Sequence, residues 1–191
     1  MGHSKAQKEA NHDRILEAAM DLLRHKGLDH MGVAEVMRAA GLTHGGFYSH
    51  FDSREAMVAE ALRTAFARDE RRLDKAAHQR GGEKRLAMLD AYLSAAHRDQ
   101  PAKGCTVAAL TGDFTRADPS LRAIFTEQVR RYRDQVAALV PGEDAAGRAL
   151  FGFSAMIGAL LMARAVDDEA LSDEILAATR HHLAAAIEPE Q

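Results

Sequence analysis

One cysteine, Cys105, and four prolines are all that a chain of 191 residues contains of either. A lone cysteine excludes an intrachain disulfide framework and fits a reducing compartment, leaving a bridge between two chains as the remaining covalent option. Scarce proline, with 47% hydrophobic residues and frequent Ala, Leu, Arg and Glu, favours a mostly helical protein over an all-β one. No basic segment followed by an apolar run opens the chain, so no secretory signal is read, the stretch "MGHSKAQKEANHDR" is taken as a polar arm, and the expected location is cytoplasmic. Charge of one sign is missing as well: the formal net charge is −3, from 25 Lys plus Arg against 28 Asp plus Glu. Residues 1–55 are equally balanced, with seven Lys/Arg and eight Asp/Glu, although they hold six of the ten histidines. An electrostatic argument for nucleic acid therefore fails at the level of composition, and any such function has to rest on geometry.

Catalytic signatures are absent too. The chain has no HExxH, no glycine-rich phosphate loop after a strand and no cysteine pair for zinc. His181 and His182 are adjacent, so on a helix they point about 100° apart and share one metal poorly. Cys105 with His97 suggests a thiol enzyme only if something orients the pair, and nothing in the sequence does. No enzyme, no metal site and no cofactor are expected.

What is present is helical periodicity, with no convincing strand. Ile15, Ala19, Leu22 and Leu23 recur at helical spacing, and Gly27 sits where a left-handed C-terminal residue is wanted, which predicts a helix over about 12–26. "GVAEVMRAA" predicts a second over about 32–40, ending at Gly41. Thr43 is suited to cap a third over about His44–His50, and Ser53 a fourth, long helix with an apolar stripe of Met57, Val58, Ala61, Leu62, Ala65 and Phe66. "RDERRLDKAAHQRGGEK", closing on Gly81-Gly82, is read as a loop. Helical spacing returns over 84–98, Pro101 breaks it, and Gly104–Thr115 forms a short helix. Asp118-Pro119 then starts a helix carrying Leu121, Phe125, Tyr132, Val136 and Leu139, stopped by Pro141-Gly142. "ALFGFSAMIGALLMA", 149–163, is the most apolar run; at 15 residues it is short of a membrane span, so a buried helix and no membrane are expected. A last amphipathic helix covers about 170–187, with Leu171, Ile175, Leu176, Leu183 and Ile187. These two helices are read either as an interface with a second copy of the chain or as an internal pair.

Three short helices joined by glycine turns make a helix-turn-helix pattern. A recognition helix must push its first turn into the major groove, so bulky side chains there limit approach. Gly45 and Gly46 bring the backbone close, leaving Thr43 and His44 to reach base edges; Tyr48 and His50 are candidate phosphate donors, with Phe47 and Phe51 turned inward. Arg54, with the amides that open the fourth helix, is a candidate clamp on the DNA backbone. Against this, a glycine pair also suits a flexible loop, and a surface His or Arg is commonly only solvated. The ordered constellation favours function. A helical protein-interaction module without specific DNA binding is the alternative.

"ILEAAMDLLRHKG" and "VAEVMRAAGLTHGGFYSHFDSREAM" resemble the TetR family of transcriptional regulators over about residues 12–60. That resemblance implies an all-α fold: a DNA-binding domain over 1–52, with its helix-turn-helix at about 32–50, and an effector-binding and dimerisation domain over 53–191. It further implies an omega-shaped homodimer joined through the last two helices as a four-helix bundle, a double-stranded and palindromic DNA operator, and a small-molecule effector that releases a repressor. In such proteins the third helix, here Thr43–His50, reads the operator, and the Tyr of "FYSHF" touches phosphate. One departure is the start of the second helix, usually a Ser or Thr cap, where "DHMGVAE" offers Gly32 or Asp29. "PAKGCTVAALTGDF" resembles a subgroup with a Gly-Cys pair opening the sixth helix. Beside Lys103 and at a helix N-terminus, the Cys105 thiolate would be favoured and reactive toward electrophiles; the alternative is a small buried hydrophobe. Tyr92, His97, Phe114, Phe125, Phe153 and Met156 are the remaining candidates for an effector pocket, or else core.

Overall fold

The computed structural model describes residues 5–79, 84–138 and 143–187 of the chain. Gly81-Gly82, Leu139 and Pro141-Gly142 lie outside the described residues, as does the side chain of Ile187. Among the described residues every regular element is helical. Helix α1, Lys5–Lys26, begins seven residues before the expected start, so much of the polar arm is helix. Nothing in "KAQKEAN" breaks a helix, and Lys5–Glu9 and Gln7–Asn11 pair at i,i+4 across its exposed first turns. Gly27, at φ +81°, ends it.

Helix α2, Val33–Ala39, is capped at its start by the extended backbone of Gly32, with no side-chain cap. Its end is a Schellman turn: Gly41, at φ +67°, donates to Arg38 O at 3.0 Å and Leu42 N donates to Met37 O at 2.8 Å. The expected third α-helix is instead a 3₁₀ segment, His44–Ser49, with Gly46 N donating to Thr43 O and His50 N to Phe47 O. Two adjacent glycines inside six residues cost too much backbone entropy to sustain α-geometry, and a short i→i+3 turn is the solution. Thr43 occupies the cap position, but its hydroxyl makes no cap hydrogen bond.

Helix α3 runs from Arg54 to Gln79, opened by Ser53, whose hydroxyl accepts from Ala56 N at 3.0 Å. It continues through the charged run read from sequence as a loop. Arg, Lys, Glu and Ala are good helix formers, so "RDERRLDKAAHQ" continues the helix rather than forming a linker. Arg68 braces it against Glu17 of α1 with a two-pronged ion pair. The helix expected over 84–98 is two: α4, Lys84–Tyr92, and α5, Ala95–Asp99, because Ser94 takes an extended conformation and caps α5 at His97 N. A 3₁₀ turn at Pro101–Lys103 leads to α6, Thr106–Phe114, whose N-cap is Cys105. Helix α7, Pro119–Ala137, starts at the predicted Asp118-Pro119 signal.

The last pair is α8, Ala145–Ala165, and α9, Glu169–Ile187, packed on each other, with α7 against the other side of α8. At 21 residues α8 is longer than the apolar run suggested, and among the described residues it is the one helix long and apolar enough to cross a membrane. Ala149, Phe153, Met156, Leu160 and Ala163 bury one face of it in the core instead. One continuous core joins the two parts of the chain: Ile15, Leu23, Met37 and Phe47 from the N-terminal helices meet Met57, Leu62 and Phe66 of α3, which lead on to Leu110, Tyr132 and Phe153.

Both left-handed glycines serve this fold. A side chain at Gly27 would force φ > 0 and collide with the Asp113 carboxylate of α6. Gly27→Ala is therefore expected to lower stability by about 1–2 kcal/mol and the melting temperature by roughly 2–8 °C, as measured by thermal unfolding.

Candidate functional site

Residues 43–50 form an exposed edge on a buried base. Phe47 is sealed in the core and stacks on Phe51 at 5.7 Å between ring centroids, which anchors the 3₁₀ segment. Thr43, His44 and Gly45 are then left facing outward, and Tyr48 is 71% exposed, its ring edge-on to Phe47 at 5.2 Å. An aromatic ring held in water by a neighbouring core residue has little structural value of its own and has its hydroxyl ready to donate.

The glycines separate by what the fold asks of them. A Cβ added at Gly45 meets nothing within 4 Å, and one at Gly46 makes only ordinary contact with Met37 at 3.7 Å and Thr43 at 3.8 Å. Neither has the positive φ of Gly27 and Gly41. The chain's own packing thus gives no steric reason for glycine at 45 or 46.

His50 and Arg54 are placed differently. His50 is half-buried, 6.1 Å from the His12 ring, which itself stacks on Phe51 at 4.6 Å and bonds Glu60 at 2.7 Å through Nε2. Arg54 turns to the protein's own backbone: Nε donates to Met31 O at 3.0 Å, and the same guanidinium donates to Leu28 O. It fixes the Leu28–Met31 loop between α1 and α2, so its geometry is that of a residue positioning the helix-turn-helix.

The second feature is a cavity of about 290 Å³ among α3, α4, α5, α7 and the start of α6. Tyr92, His97 and Cys105 of the sequence candidates line it, together with Asp69, Arg72, Lys103 and Tyr132. Phe114, Phe125, Phe153 and Met156 do not. Phe114 stacks on Phe125 at 4.3 Å, Phe153 stands edge-on behind Tyr132 at 5.1 Å, and Met156 is core.

His97 spans the cavity wall with both ring nitrogens engaged. Cys105 N donates to Nε2 at 2.9 Å, so Nδ1 carries the proton and donates to Tyr92 O at 2.7 Å. Burial, with Arg164 and Arg72 nearby, pushes its pKa down and keeps the ring neutral. Asp69, 4% exposed, accepts from Thr106 N through Oδ2 at 2.7 Å and lies 3.7 Å from Arg24 Nη2 through Oδ1. Burial raises its pKa, opposed by the Thr106 bonds and the two arginines. Arg24, at the end of α1, also donates to Thr106 Oγ1 and Ala102 O, both at 3.1 Å. Sequence reasoning missed Asp69; the signal was an acid continuing the apolar stripe of α3 at the spacing set by Leu62, Ala65 and Phe66.

Of the two readings of Cys105, a thiolate favoured by the helix N-terminus and Lys103 or a small buried hydrophobe, the geometry agrees with the second: burial, and next the Asp69 carboxylate, push the thiol up to about 11. Desolvation outweighs the helix amides, and the thiol is protonated at neutral pH.

The family described as "Bacterial regulatory proteins, tetR family" matches residues 15–61. The chain is 34% identical over 125 residues to the uncharacterized HTH-type transcriptional regulator Rv1255c of Mycobacterium tuberculosis, covering 64% of this chain and 52% of that protein. It is 39% identical over 56 residues to the HTH-type transcriptional repressor KstR2 of Rhodococcus jostii, covering 29% and 28%. These alignments therefore span between about a quarter and a half of the relatives' length. A TetR transcriptional regulator from Chloroflexus aurantiacus has the same fold, with TM-score 0.81 and 23% identity over 95% of this chain and 96% of that one. Over residues 15–61 the chain is thus similar to the N-terminal helix-turn-helix domain of the TetR family.

Iodoacetamide modification of native Cys105 is expected to accelerate with pH until about pH 11, because only the thiolate reacts. In urea the profile should return to about 8.5, and near pH 7.5 the native rate should be on the order of a hundredfold lower than the unfolded one. A native half-point near 8.5 would place a reactive thiolate in the cavity after all.

Proposed function

We propose that the chain is a homodimeric transcriptional regulator that binds a palindromic operator through two helix-turn-helix domains and acts as a repressor released by a small-molecule effector. The observation that carries the DNA-binding part is the pair Gly45 and Gly46, glycines the fold does not need, at the exposed opening of the segment that carries Thr43, His44 and Tyr48. A bare backbone there lets the segment enter a groove roughly 12 Å wide. Thr43 and His44 then read base edges, while the Tyr48 hydroxyl donates to phosphate and fixes register. Arg54 contributes by holding the loop beneath. KstR2's description as a repressor supports the sign of regulation.

Dimerisation is supported by α8 and α9. Leu150, Phe151, Leu161 and Met162 of α8 and Leu171 of α9 are exposed apolar side chains, and Ser154 and Gly158 lie between them on the same face of α8. A Cβ at Gly158 would meet nothing within 4 Å, so the face is flat where a second helix can approach closely. A second copy of the chain covers this face, placing two recognition segments on one side of the assembly. The effector part is supported by the cavity, which shares Asp69 with the contact to Arg24 at the end of α1.

Selection from a random duplex pool by the purified protein, repeated at several salt concentrations, is expected to enrich a palindrome bound with steep salt dependence. Tyr48→Phe should weaken binding to all duplexes alike, His44→Ala should change base preference, and Gly45→Ala should leave the melting temperature within about 1 °C while cutting operator affinity at least tenfold. No enrichment by the folded protein would favour the protein-interaction module instead.

Phe151→Glu should convert the dimer to monomer in sedimentation analysis with helicity retained. A persistent dimer would remove the α8 face from the interface.

A further inference from the structure

Three buried polar atoms without a hydrogen-bond partner in the protein belong to residues lining one cavity: Asp69 Oδ1 and the hydroxyls of Tyr92 and Tyr132. All three residues are more than nine-tenths buried. The Cys105 thiol neighbours the Tyr92 hydroxyl and the Gln128 amide that of Tyr132, so each phenol has one side-chain neighbour and hydrogen-bonding capacity to spare; Gln128 Nε2 also donates to Glu70 Oε1 at 2.8 Å. Buried polar atoms are nearly always fully satisfied, so three under-satisfied ones on one wall, Asp69 Oδ1 with only distant ion-pair partners, mark a place suited to a polar molecule.

Their chemistry defines that molecule. Oδ2 of Asp69 already accepts from Thr106 N, and Oδ1 as a carboxylate oxygen can only accept, so what meets it must donate. An anion is excluded at that end by like charge. A cation is disfavoured because Arg24 Nη2 and Arg72 Nη1 already lie 3.7 and 3.9 Å from that oxygen, with Lys103 on the same cavity. What remains is a neutral O–H or N–H. The phenols supply donors for an acceptor on the same molecule, while their rings with Ala91 and Ala96 provide apolar wall. A cavity of about 150 Å³ suffices for benzene. The 290 Å³ here suits one substituted ring.

We propose that this cavity binds a small uncharged aromatic molecule bearing a hydroxyl or amide N–H, which donates to Asp69 Oδ1, accepts from Tyr92 and Tyr132, and competes with Arg24 for the same carboxylate oxygen. The proposal deepens the effector reading above and rests on it. Arg24 stands in the last turn of α1, and Asp69 is its contact on α3; a ligand on Oδ1 loosens that tie between the cavity and the DNA-binding domain.

The test uses the full chain and matched fragments: phenol against anisole, and benzamide against N,N-dimethylbenzamide, titrated by calorimetry and protein NMR. Each donor-bearing member is expected to bind at least tenfold tighter than its methylated partner, shifting resonances of the cavity residues. Tyr132→Phe, which removes only a hydroxyl from the cavity wall, should keep the melting temperature within about 2 °C and weaken the donor fragments at least threefold. In Asp69→Asn the amide oxygen stays on Thr106 N–H and the NH₂ faces the cavity, so the preference within each pair should be lost. Equal affinities within the pairs, no binding by any fragment, or loss of folding in Tyr132→Phe would overturn the proposal. Saturating benzamide should raise the Kd for the selected operator at least threefold; an unchanged Kd with benzamide bound would overturn the competition with Arg24. Failure of operator selection itself, with the fragments still bound as expected, would sink the regulator reading and leave the ligand chemistry standing.

Discussion

Asp69 buries a carboxylate where the two halves of the chain meet. Its side chain, on α3, takes the first backbone N–H of α6 on one oxygen and faces Arg24 of α1 on the other. A buried charge is tolerated only when paired, and removing one partner of such a pair is far more damaging than the pair is stabilising. Arg24 is 7% exposed and reaches Thr106 and Ala102 as well, so one guanidinium and one carboxylate fix the end of α1, the middle of α3 and the start of α6 relative to one another. A second tie lies at the other end of α6, where Asp113 accepts from Leu28 N at 3.0 Å. Helix α6 thus holds the DNA-binding domain by both ends, and the cavity opens at the end that Asp69 controls.

The N-terminal domain was legible in the sequence because its signals are local. Gly27 and Gly41 each end a helix in the left-handed conformation, Ser53 caps α3, and the apolar spacing of Ile15, Ala19 and Leu23 marks the buried face of α1. What failed was also local, but competitive. The charged run after Phe66 looked like a linker because polar composition was weighed above helix propensity, and Ser94 ended α4 where periodicity alone ran through. The cavity was half legible. Tyr92, His97 and Cys105 could be proposed from residue type, whereas Tyr132 sits on a stripe that reads as packing and Asp69 in a charged run that reads as loop, and only the fold shows their polar ends turned to one space. Phe114, Phe125, Phe153 and Met156 were chosen on apolarity, the property least able to tell a pocket wall from core.

The glycines make the same distinction between fold and function in another form. A residue the backbone demands announces itself by φ or by collision: Gly27 against Asp113, Gly41 with Arg14 Nη2 2.7 Å from where its Cβ would be. Gly45 and Gly46 answer neither demand. Where a sequence keeps a residue that lowers local helix stability and the fold supplies no reason, the reason is sought in what the surface meets. Tyr48 is its complement, a large ring kept in water three residues after Gly45, so small and large are set side by side along one edge.

Helix α3 also joins the two regions: from Arg54, which locks the loop, to Asp69 at the cavity wall is 15 residues, about 23 Å at the rise of an α-helix. A packed helix moves as a body, so under the proposed effector reading a displacement at Asp69 would reach Ser53 and the 3₁₀ segment before it without unfolding anything. A ligand shifts such an equilibrium only by its differential affinity for the two arrangements. A contact made solely at Oδ1 would supply that difference if Arg24 holds the oxygen in one arrangement and releases it in the other. The Arg24–Asp69 contact would then be the element that both sites bias, and coupling would depend on how far a ligand displaces Arg24 from an oxygen it already shares with Arg72.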